Sequence, residues 1–314
     1  MQVLAVNFHY IRDIKPQAGI YPRTLTEFKS QIDELGRYYE FISQEDLLKA
    51  VHNNEFNSSN SKYCLITFDD NLKEQLSAYQ YLKEQNIPSI FYATTLPYLE
   101  SQIHDVHKLH EIYAKYSDEE LFCWLDERFN FGDYVFTEEQ LNASYKYDHD
   151  AKKKIKLFLN FVLSIDDKKK AINQLFNEII LDVDRFRSDL YLSKDELRRI
   201  AQEGMLGTHT HNHLPLATIP INEVEREILV STQCLEEITG VKMQSISYPY
   251  GRHGAVNNAV ASIAKKVGLK FGLTMYRGFN NISDLKSNPM LLKRVDTNDA
   301  PYGKHQSTEY YPEI

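Results

Sequence analysis

A chain of 314 residues is long enough to bury a full core as one large domain, or as one domain with an elaborated insert. Its 36 Lys and Arg against 44 Asp and Glu give a net charge of −8, which argues against a nucleic-acid partner, since that calls for a basic face. Three widely separated cysteines, Cys64, Cys123 and Cys234, give neither a disulfide framework nor a CxxC metal pattern, and no apolar run approaches the ~20 residues that span a bilayer.

In chain order, Val3 to Phe8 reads as a first strand that delivers His9 at its carboxyl end, and residues 10–23, with Pro16, Gly19 and Pro22, read as loop. Thr26 to Leu35 is a helical pattern, Tyr38 to Ile42 a short strand, and Ser43 with Asp46 opens a helix through Leu47, Leu48 and Val51. After a polar, turn-rich stretch, the apolar run Tyr63 to Ile66 has the length of a buried strand and ends in Thr67-Phe68-Asp69-Asp70. A helix from about Leu72 to Gln85 and a strand Ser89 to Ala93 follow.

From about Leu96 to Leu192 this alternation stops. Ile155, Phe158, Leu159, Val162 and Leu163 fall at i, i+3, i+4, i+7 and i+8, and Ile172, Leu175, Phe176, Ile179 and Ile180 repeat the spacing, which predicts two amphipathic helices. The segment reads as a helical insert covering one edge of a site formed elsewhere. Its own His104, His107, His110 and His149 lack acidic or cysteine partners at ligand spacing and read as surface or substrate-side residues. The lysine runs 152–154 and 168–170 read as solvated helix faces.

The alternation resumes with a capping box at Ser193 and Glu196, a helix to about Gln202 and a strand Met205 to Gly207. Asn222 and Glu225 predict a second capping box, for a helix that stops at Gly240. Strand Ser245 to Tyr248, a helix through Ala255 to Val267, strand Lys270 to Leu273 and a last extended piece at Leu291 to Val295 complete the pattern. Strand then helix, repeated, implies a parallel sheet.

Three stretches carry chemistry. His209, His211 and His213 place three imidazoles within five residues, and neutral imidazoles held together at pH 7 suit a divalent cation. A helical turn would put His209 and His213 on one side and an extended segment would put all three on one face; either allows two ligands. The competing reading is a polar surface turn ended by Leu214-Pro215. Asp69 and Asp70 oppose each other's ionisation unless a cation or hydrogen-bond donors stabilise them, although acidic residues also suit a helix start. Ser247-Tyr248-Pro249-Tyr250-Gly251 would by itself be an ordinary turn.

Taken together, in this order and with their internal spacing, the three stretches resemble the motifs of the polysaccharide deacetylase family, the NodB-homology carbohydrate esterases. The family pattern is Thr-Phe-Asp-Asp, then a histidine, Ser or Thr, two residues and a histidine, then an aromatic or Pro followed by Pro-Tyr-Gly. The resemblance implies an α/β fold, a distorted (β/α) barrel of about seven strands with ligands converging from the strands' carboxyl ends. The expected organisation is one domain over residues 1–314 with a helical insert over 96–192, between the first and second motifs. Asp70, His209 and His213 would then hold a divalent metal, Zn²⁺ first, with Co²⁺, Ni²⁺ or Mn²⁺ as alternatives. Asp69 would be the general base, and the backbone N–H of Tyr250 would hold the oxyanion.

Two departures stand out. Ser247 occupies the position, two residues before the motif's proline, where many family members carry an arginine that pairs with the base. Arg294, on the late extended piece, is the candidate replacement, with a surface arginine as the competing reading. The family's late Leu-x-His segment, whose histidine protonates the leaving amine, is not evident; His9 and His253 are candidates for that acid and His211 a weaker third.

The expected activity is metal-dependent removal of an N-acetyl or related N-acyl group from an acetylated amino sugar. The amino terminus has no basic start and too short an apolar stretch for a signal peptide, so the expected setting is cytoplasmic and the expected substrate a nucleotide- or lipid-linked glycan precursor. The alternatives are the same metal site acting on another amide or ester (O-acetyl, N-formyl, cyclic amide), or a degenerate member that binds glycan without turnover.

Overall fold

The computed structural model describes residues 2–53, 62–143, 149–305 and 309–310. The chain divides into two compact units: Met1–Ile14, Pro22–Gln102 and Arg187–Ile314 form the first, and Lys15–Tyr21 with Ile103–Phe186 the second.

The first unit is a sheet flanked by helices. Its strands are β1 (Gln2–Phe8), β2 (Glu40–Phe41), β3 (Lys62–Phe68), β4 (Ser89–Ala93), β5 (Leu206–Thr208), β6 (Ser245–Ser247), β7 (Phe271–Leu273), β8 (Asn280–Asn281) and β9 (Val295–Asp296). Hydrogen bonding gives the order β7-β6-β5-β4-β3-β1-β8, with β2 on β3 and β9 on β1. All pairings are parallel except β1 with β8. The extended piece ending in β9 links the two sides of the sheet: Leu292 bridges Leu273 of β7, and Val295 pairs with Val6 of β1. This is the distorted (β/α) barrel the motifs imply, with short pieces completing it. The two-asparagine β8 lies outside the sequence reading because asparagine disfavours strands and leaves no apolar alternation to detect.

Both faces of the central strands are buried, which is why β1 and β3 read as near-continuous apolar runs. Leu4, Val6 and Phe8 of β1, with Cys64, Ile66 and Phe68 of β3, pack outward with residues such as Phe28, Leu197, Ile228 and Val260 from the flanking helices. The alternate residues Val3, Ala5, Tyr63, Leu65, Ile90 and Tyr92 form a separate inner cluster with Leu47 of helix Gln44–Asn53. Gly207 of β5 shows how tight this interior is: a Cβ there would lie 2.4 Å from the Tyr92 ring and 2.7 Å from Ser245 Oγ.

Helix ends mostly follow the sequence signals. Ser193 and Glu196 form the expected capping box, and Gly240 ends helix Ile221–Thr239 in the left-handed conformation. The box expected from Asn222 and Glu225 does not form. That helix starts two residues earlier, with Pro220 at its N-cap, so Asn222 lies inside the first turn. Among the described residues no helix is long and apolar enough to cross a membrane.

The second unit is helical: Asp105–Lys115, Asp118–Phe129, Glu138–Ala143, Asp150–Leu157 and Ile165–Ile179. The first amphipathic pattern is not one α-helix, because Phe158–Val162 widens into a π turn closed by the Leu163 N–H on the Phe158 carbonyl. Phe158 packs against Phe131 with ring centroids 4.6 Å apart, and Ile172, Leu175 and Phe176 are buried. His104 and His107 are 2 % and 1 % exposed, which corrects the surface reading of both. Helix Asp105–Lys115, with His104 at its N-cap and His107 in its first turn, packs along Ile165–Ile179. His149 is exposed and meets Asp118 at 3.0 Å.

Candidate metal centre and active site

The inner faces of β1 and β3 change character along their length. Val3 and Ala5, then Tyr63 and Leu65, are apolar, and the next inward positions towards the carboxyl ends are Asn7 and Thr67. Asn7 and Thr67 are direct partners in the parallel register. Asp69 continues the same face, its N–H bonded to the Phe8 carbonyl at 3.1 Å. A polar site is thereby set on an apolar floor.

Asp69 is 3 % exposed and held by a buried guanidinium. Arg294 Nη1 donates to Oδ1 at 2.9 Å and Nη2 to Oδ2 at 2.7 Å, a two-point fork, and Asn7 Nδ2 adds a third bond to Oδ2 at 3.0 Å. Arg294 is 0 % exposed, so the surface reading of this residue does not hold. Its remaining donors reach Asn7 Oδ1, Thr67 Oγ1, Ser247 Oγ and the Thr274 carbonyl, at 3.0, 3.2, 2.8 and 3.3 Å. Ser247, at the position of the family's arginine, is an acceptor for an arginine that arrives from β9's side. Burial alone would raise the Asp69 pKa; the charge of Arg294, then that of His209, outweigh it and hold the carboxyl down at about 2.

Asp70 turns the other way. Its φ of 77° is left-handed, and Asn71 follows at 45°. Asp70 Oδ1 then faces His209 Nε2 at 3.4 Å and His213 Nε2 at 3.3 Å. The competing reading, a helix start at the Asp pair, does not hold, and the helix expected from about Leu72 is a 3₁₀ turn at Lys73–Gln75 followed by an α-helix at Leu76–Glu84. Asn71 anchors the turn: Oδ1 accepts from the Thr94 N–H at 2.8 Å and Nδ2 donates to Tyr98 at 2.8 Å. Gln75 Nε2 ties the Asp69 and His9 carbonyls together, at 2.7 and 2.9 Å.

His209 leaves β5 with its N–H on the Ala93 carbonyl. Its Nδ1 lies 2.7 Å from the Ser247 carbonyl, which accepts only, so Nδ1 carries the proton and Nε2 presents a lone pair towards Asp70. Without a cation, burial lowers the His209 pKa but the charges of Asp69 and Asp70 raise it more, and the net shift is upward. Residues 209–213 follow neither a helix nor a strand. Left-handed Thr210 and His213, at φ 66° and 56°, fold the segment back so that His213 returns to the Asp70 carboxylate. The intervening Asn212 is clamped by Glu227 of helix Ile221–Thr239, at 2.7 Å to its N–H and 2.6 Å to Nδ2. Among the described residues nine non-glycine residues have positive φ, and Asp70, Asn71, Thr210, His213 and Tyr250 are five of them, so backbone strain concentrates at this rim.

Asp70, His209 and His213 are the group of described side chains whose ligand atoms converge, all within 4.8 Å of one another. A tetrahedral Zn²⁺ with bonds of about 2.0–2.2 Å sets its ligand atoms about 3.3 Å apart. The two Asp70 separations, 3.4 and 3.3 Å, match that spacing and are long for direct hydrogen bonds, so this donor set fits a divalent cation.

Tyr250, at φ 61°, places its ring 5.0 Å from that of His213 and is 48 % exposed. Gly251 after it, also left-handed, packs so closely that a Cβ would meet the Met275 nitrogen at 2.6 Å. Of the three histidines considered as acids, His9 follows β1 near enough for its charge to bear on Asp69. His253 is exposed and stacked on Tyr276 at 4.1 Å. His211 lies between Thr95 Oγ1 at 2.9 Å and Glu100 Oε1 at 3.0 Å. That hydroxyl-imidazole-carboxylate series has a hydrolase's connectivity, but Thr95 is 0 % exposed and inaccessible to a substrate. Sequence reasoning missed Asn7, Thr67, Asn71 and Gln75. The available signal was parity: Asn7 and Thr67 are the polar ends of otherwise apolar inward faces.

Comparison with known proteins bears on the sequence motifs of the second half and on the fold. The model of the polysaccharide deacetylase family matches residues 145–272, which include the histidine loop and Tyr248-Pro249-Tyr250-Gly251 and leave the Asp pair outside. No curated protein matches the chain. Among solved structures, the Streptococcus pyogenes deacetylase PplD in complex with acetate is 17% identical, with 99% of each chain covered and a TM-score of 0.60. IcaB from Ammonifex degensii is 15% identical over 94% of this chain and 91% of its own, at a TM-score of 0.55. A de-N-acetylase from Aggregatibacter actinomycetemcomitans is 14% identical over 94% of each, also at 0.55. At these identities the structures speak to the fold alone, and over residues 145–272 the chain is similar to the polysaccharide deacetylase family.

Proposed function

We propose that this chain is a metal-dependent hydrolase that removes the acetyl group from an N-acetylated amino sugar of a glycan. The observation that carries the proposal is the pairing of two adjacent carboxylates with opposite surroundings: Asp70 facing two imidazoles, and Asp69 beside it on a buried arginine. Asp70, His209 and His213 are the residues that would hold the cation. When bound, a divalent ion of this type acidifies a water and polarises an acyl carbonyl.

The rest of the chemistry belongs to the chain. Asp69, with its carboxyl held down at about 2, is ionised at neutral pH and serves as the base for the attacking water. Arg294 fixes the plane of that carboxylate and stays charged throughout. Tyr250, turned back beside His213, offers its backbone N–H to the oxygen that gains charge as the acyl carbon becomes tetrahedral. His9 delivers a proton to the leaving amine. Arg294 also supplies the cation that Ser247 does not, which removes one of the two motives for a degenerate, non-catalytic reading.

The test is hydrolysis of a panel of N-acetylated amino sugars, as polymer, nucleotide-linked and lipid-linked forms, by the zinc-loaded chain. Release of acetate that falls about 10²-fold or more in Asp69→Asn and about 10-fold or more in His9→Gln is expected. Undiminished hydrolysis by Asp69→Asn would move the site elsewhere. The member of the panel turned over fastest identifies the carrier, for which a nucleotide- or lipid-linked precursor is the proposed answer.

A further inference from the structure

Asp69 accepts three hydrogen bonds among the described residues, and they are unevenly shared. Oδ1 takes Arg294 Nη1 at 2.9 Å; Oδ2 takes Arg294 Nη2 at 2.7 Å and Asn7 Nδ2 at 3.0 Å. An ionised carboxylate offers about two lone-pair sites on each oxygen. The guanidinium fork uses one on each, and Asn7 uses the second on Oδ2. One site remains, and it is on Oδ1.

We infer that Asn7 is a positioning residue that closes Asp69 Oδ2 and reserves Oδ1 as the proton-accepting atom. The inference rests on the reading of Asp69 as the base and specifies which of its atoms acts. In the step itself, the water's proton moves to Oδ1 and the electron pair it leaves forms the bond to the acyl carbon. The C–N pair later departs with the amine, which takes up a proton.

The orientation of the Asn7 amide is dictated by its neighbours. Arg294 has donors only, and its Nη1 reaches Asn7 Oδ1 at 3.0 Å. Asp69, ionised, has acceptors only, so the Nδ2 end must point to it. A flipped amide would set donor against donor and acceptor against acceptor in a site where Asn7 is 0 % exposed and no water competes. Asn7 itself is fixed by its place in β1, paired with Thr67 in register and two residues before His9. An apolar residue at this inward position would continue the floor of Val3 and Ala5 and leave Oδ2 open. The proton would then be shared between two oxygens, only one of which faces the reacting atoms in a single geometry.

The experiment uses the full zinc-loaded chain with an N-acetylglucosamine oligomer as probe. Asn7→Ala removes both amide bonds and opens a cavity, whereas Asn7→Leu removes the same bonds with a side chain of nearly the same shape. The expected result is a kcat about 10- to 100-fold lower in both variants, with KM and bound zinc per chain unchanged. If Asn7→Ala does not fold, Asn7→Leu alone carries the comparison. Wild-type kcat in Asn7→Leu would overturn the inference, because Asp69 would then act as the base without the Asn7 donor closing Oδ2. A loss of kcat accompanied by loss of zinc would overturn it as well, by making the role structural. A wild-type chain without turnover, with Asp69→Asn no different, overturns the reading of Asp69 and this inference with it.

Discussion

The helical unit and the sheet unit each contain a run of three closely spaced histidines, and they have come to different ends. His104, His107 and His110 are three apart; the first two are buried, with ring centroids 5.8 Å apart. His209, His211 and His213 are two apart, and the outer pair has centroids 5.0 Å apart. Close spacing and at least two buried rings are common to both runs. The difference is what comes from elsewhere in the chain. In the sheet unit β3 ends in a carboxylate that turns towards two imidazoles, and β6 supplies the carbonyl that fixes one tautomer. Among the described residues no such convergent group forms around the helical run. A metal centre of this kind is made by strand register, which brings distant residues to one rim, more than by local histidine density.

That comparison breaks most directly on metal content. The expectation is about one zinc-class ion per chain in the wild type, none in Asp70→Ala, and an unchanged ion in His107→Gln. Elemental analysis of protein purified without chelators measures all three. Loss of the ion in His107→Gln with retention in Asp70→Ala would reverse the assignment of the two histidine runs.

The two units also differ in what an ion pair is worth. Lys170 and Asp167 of the helical unit lie 3.6 Å apart with both side chains well exposed, a setting in which a pair contributes about 0–1 kcal/mol. Arg294 and Asp69 are buried, and removing one partner leaves an uncompensated charge, a loss of about 3–5 kcal/mol. Arg294→Met is therefore expected to lower the urea midpoint strongly and Lys170→Ala hardly at all. Adding Asp69→Asn to Arg294→Met should recover part of the loss, since it removes the stranded charge. Equal effects of the two single variants would mean the buried pair is solvated in solution.

Much of the rim was legible before any coordinates. The Asp pair, the histidine loop and Tyr250 announced themselves by residue type and spacing, and the strands leading to them by their apolar runs. Arg294 was legible only as a candidate, because nothing local distinguishes a buried arginine from a surface one. Its burial depends on the piece after Leu292 crossing from β7 to β1, a long-range event. Asn7 was passed over because a single polar residue in a strand carries no motif; its meaning lies in sharing a face with Thr67 and Asp69. The burial of His104 and His107 was illegible for the same reason, since neither residue's neighbours in sequence mark it as buried. The misplaced cap at Asn222 had a local cause, a proline at the preceding turn that starts the helix earlier.

The smallest expected effect concerns acid. Asp69 has a folded pKa of about 2, below the ordinary aspartate value of about 3.9, because Arg294 and His209 outweigh the opposing effect of burial. A depressed carboxyl contributes stability that is fully present above the unfolded value and is lost as pH falls through the folded one. The window is therefore about pH 4 down to about pH 2, and the contribution is of order 2 kcal/mol. His209 in the cation-free chain has the opposite sign: its pKa is raised, so its contribution is present at low pH and fades as pH rises above the ordinary imidazole range. The two do not overlap, which makes the acid limb a clean measure of Asp69. Urea midpoints of cation-free wild type and Asp69→Asn at about pH 5, 3 and 2 should converge as pH falls through the folded value, because protonation makes the wild-type side chain as neutral as the amide. A gap that stays constant over that range would mean that Asp69 is not held by Arg294 in its ionised form, and the distinction between a charged buried pair and an exposed one would lose its best-placed example.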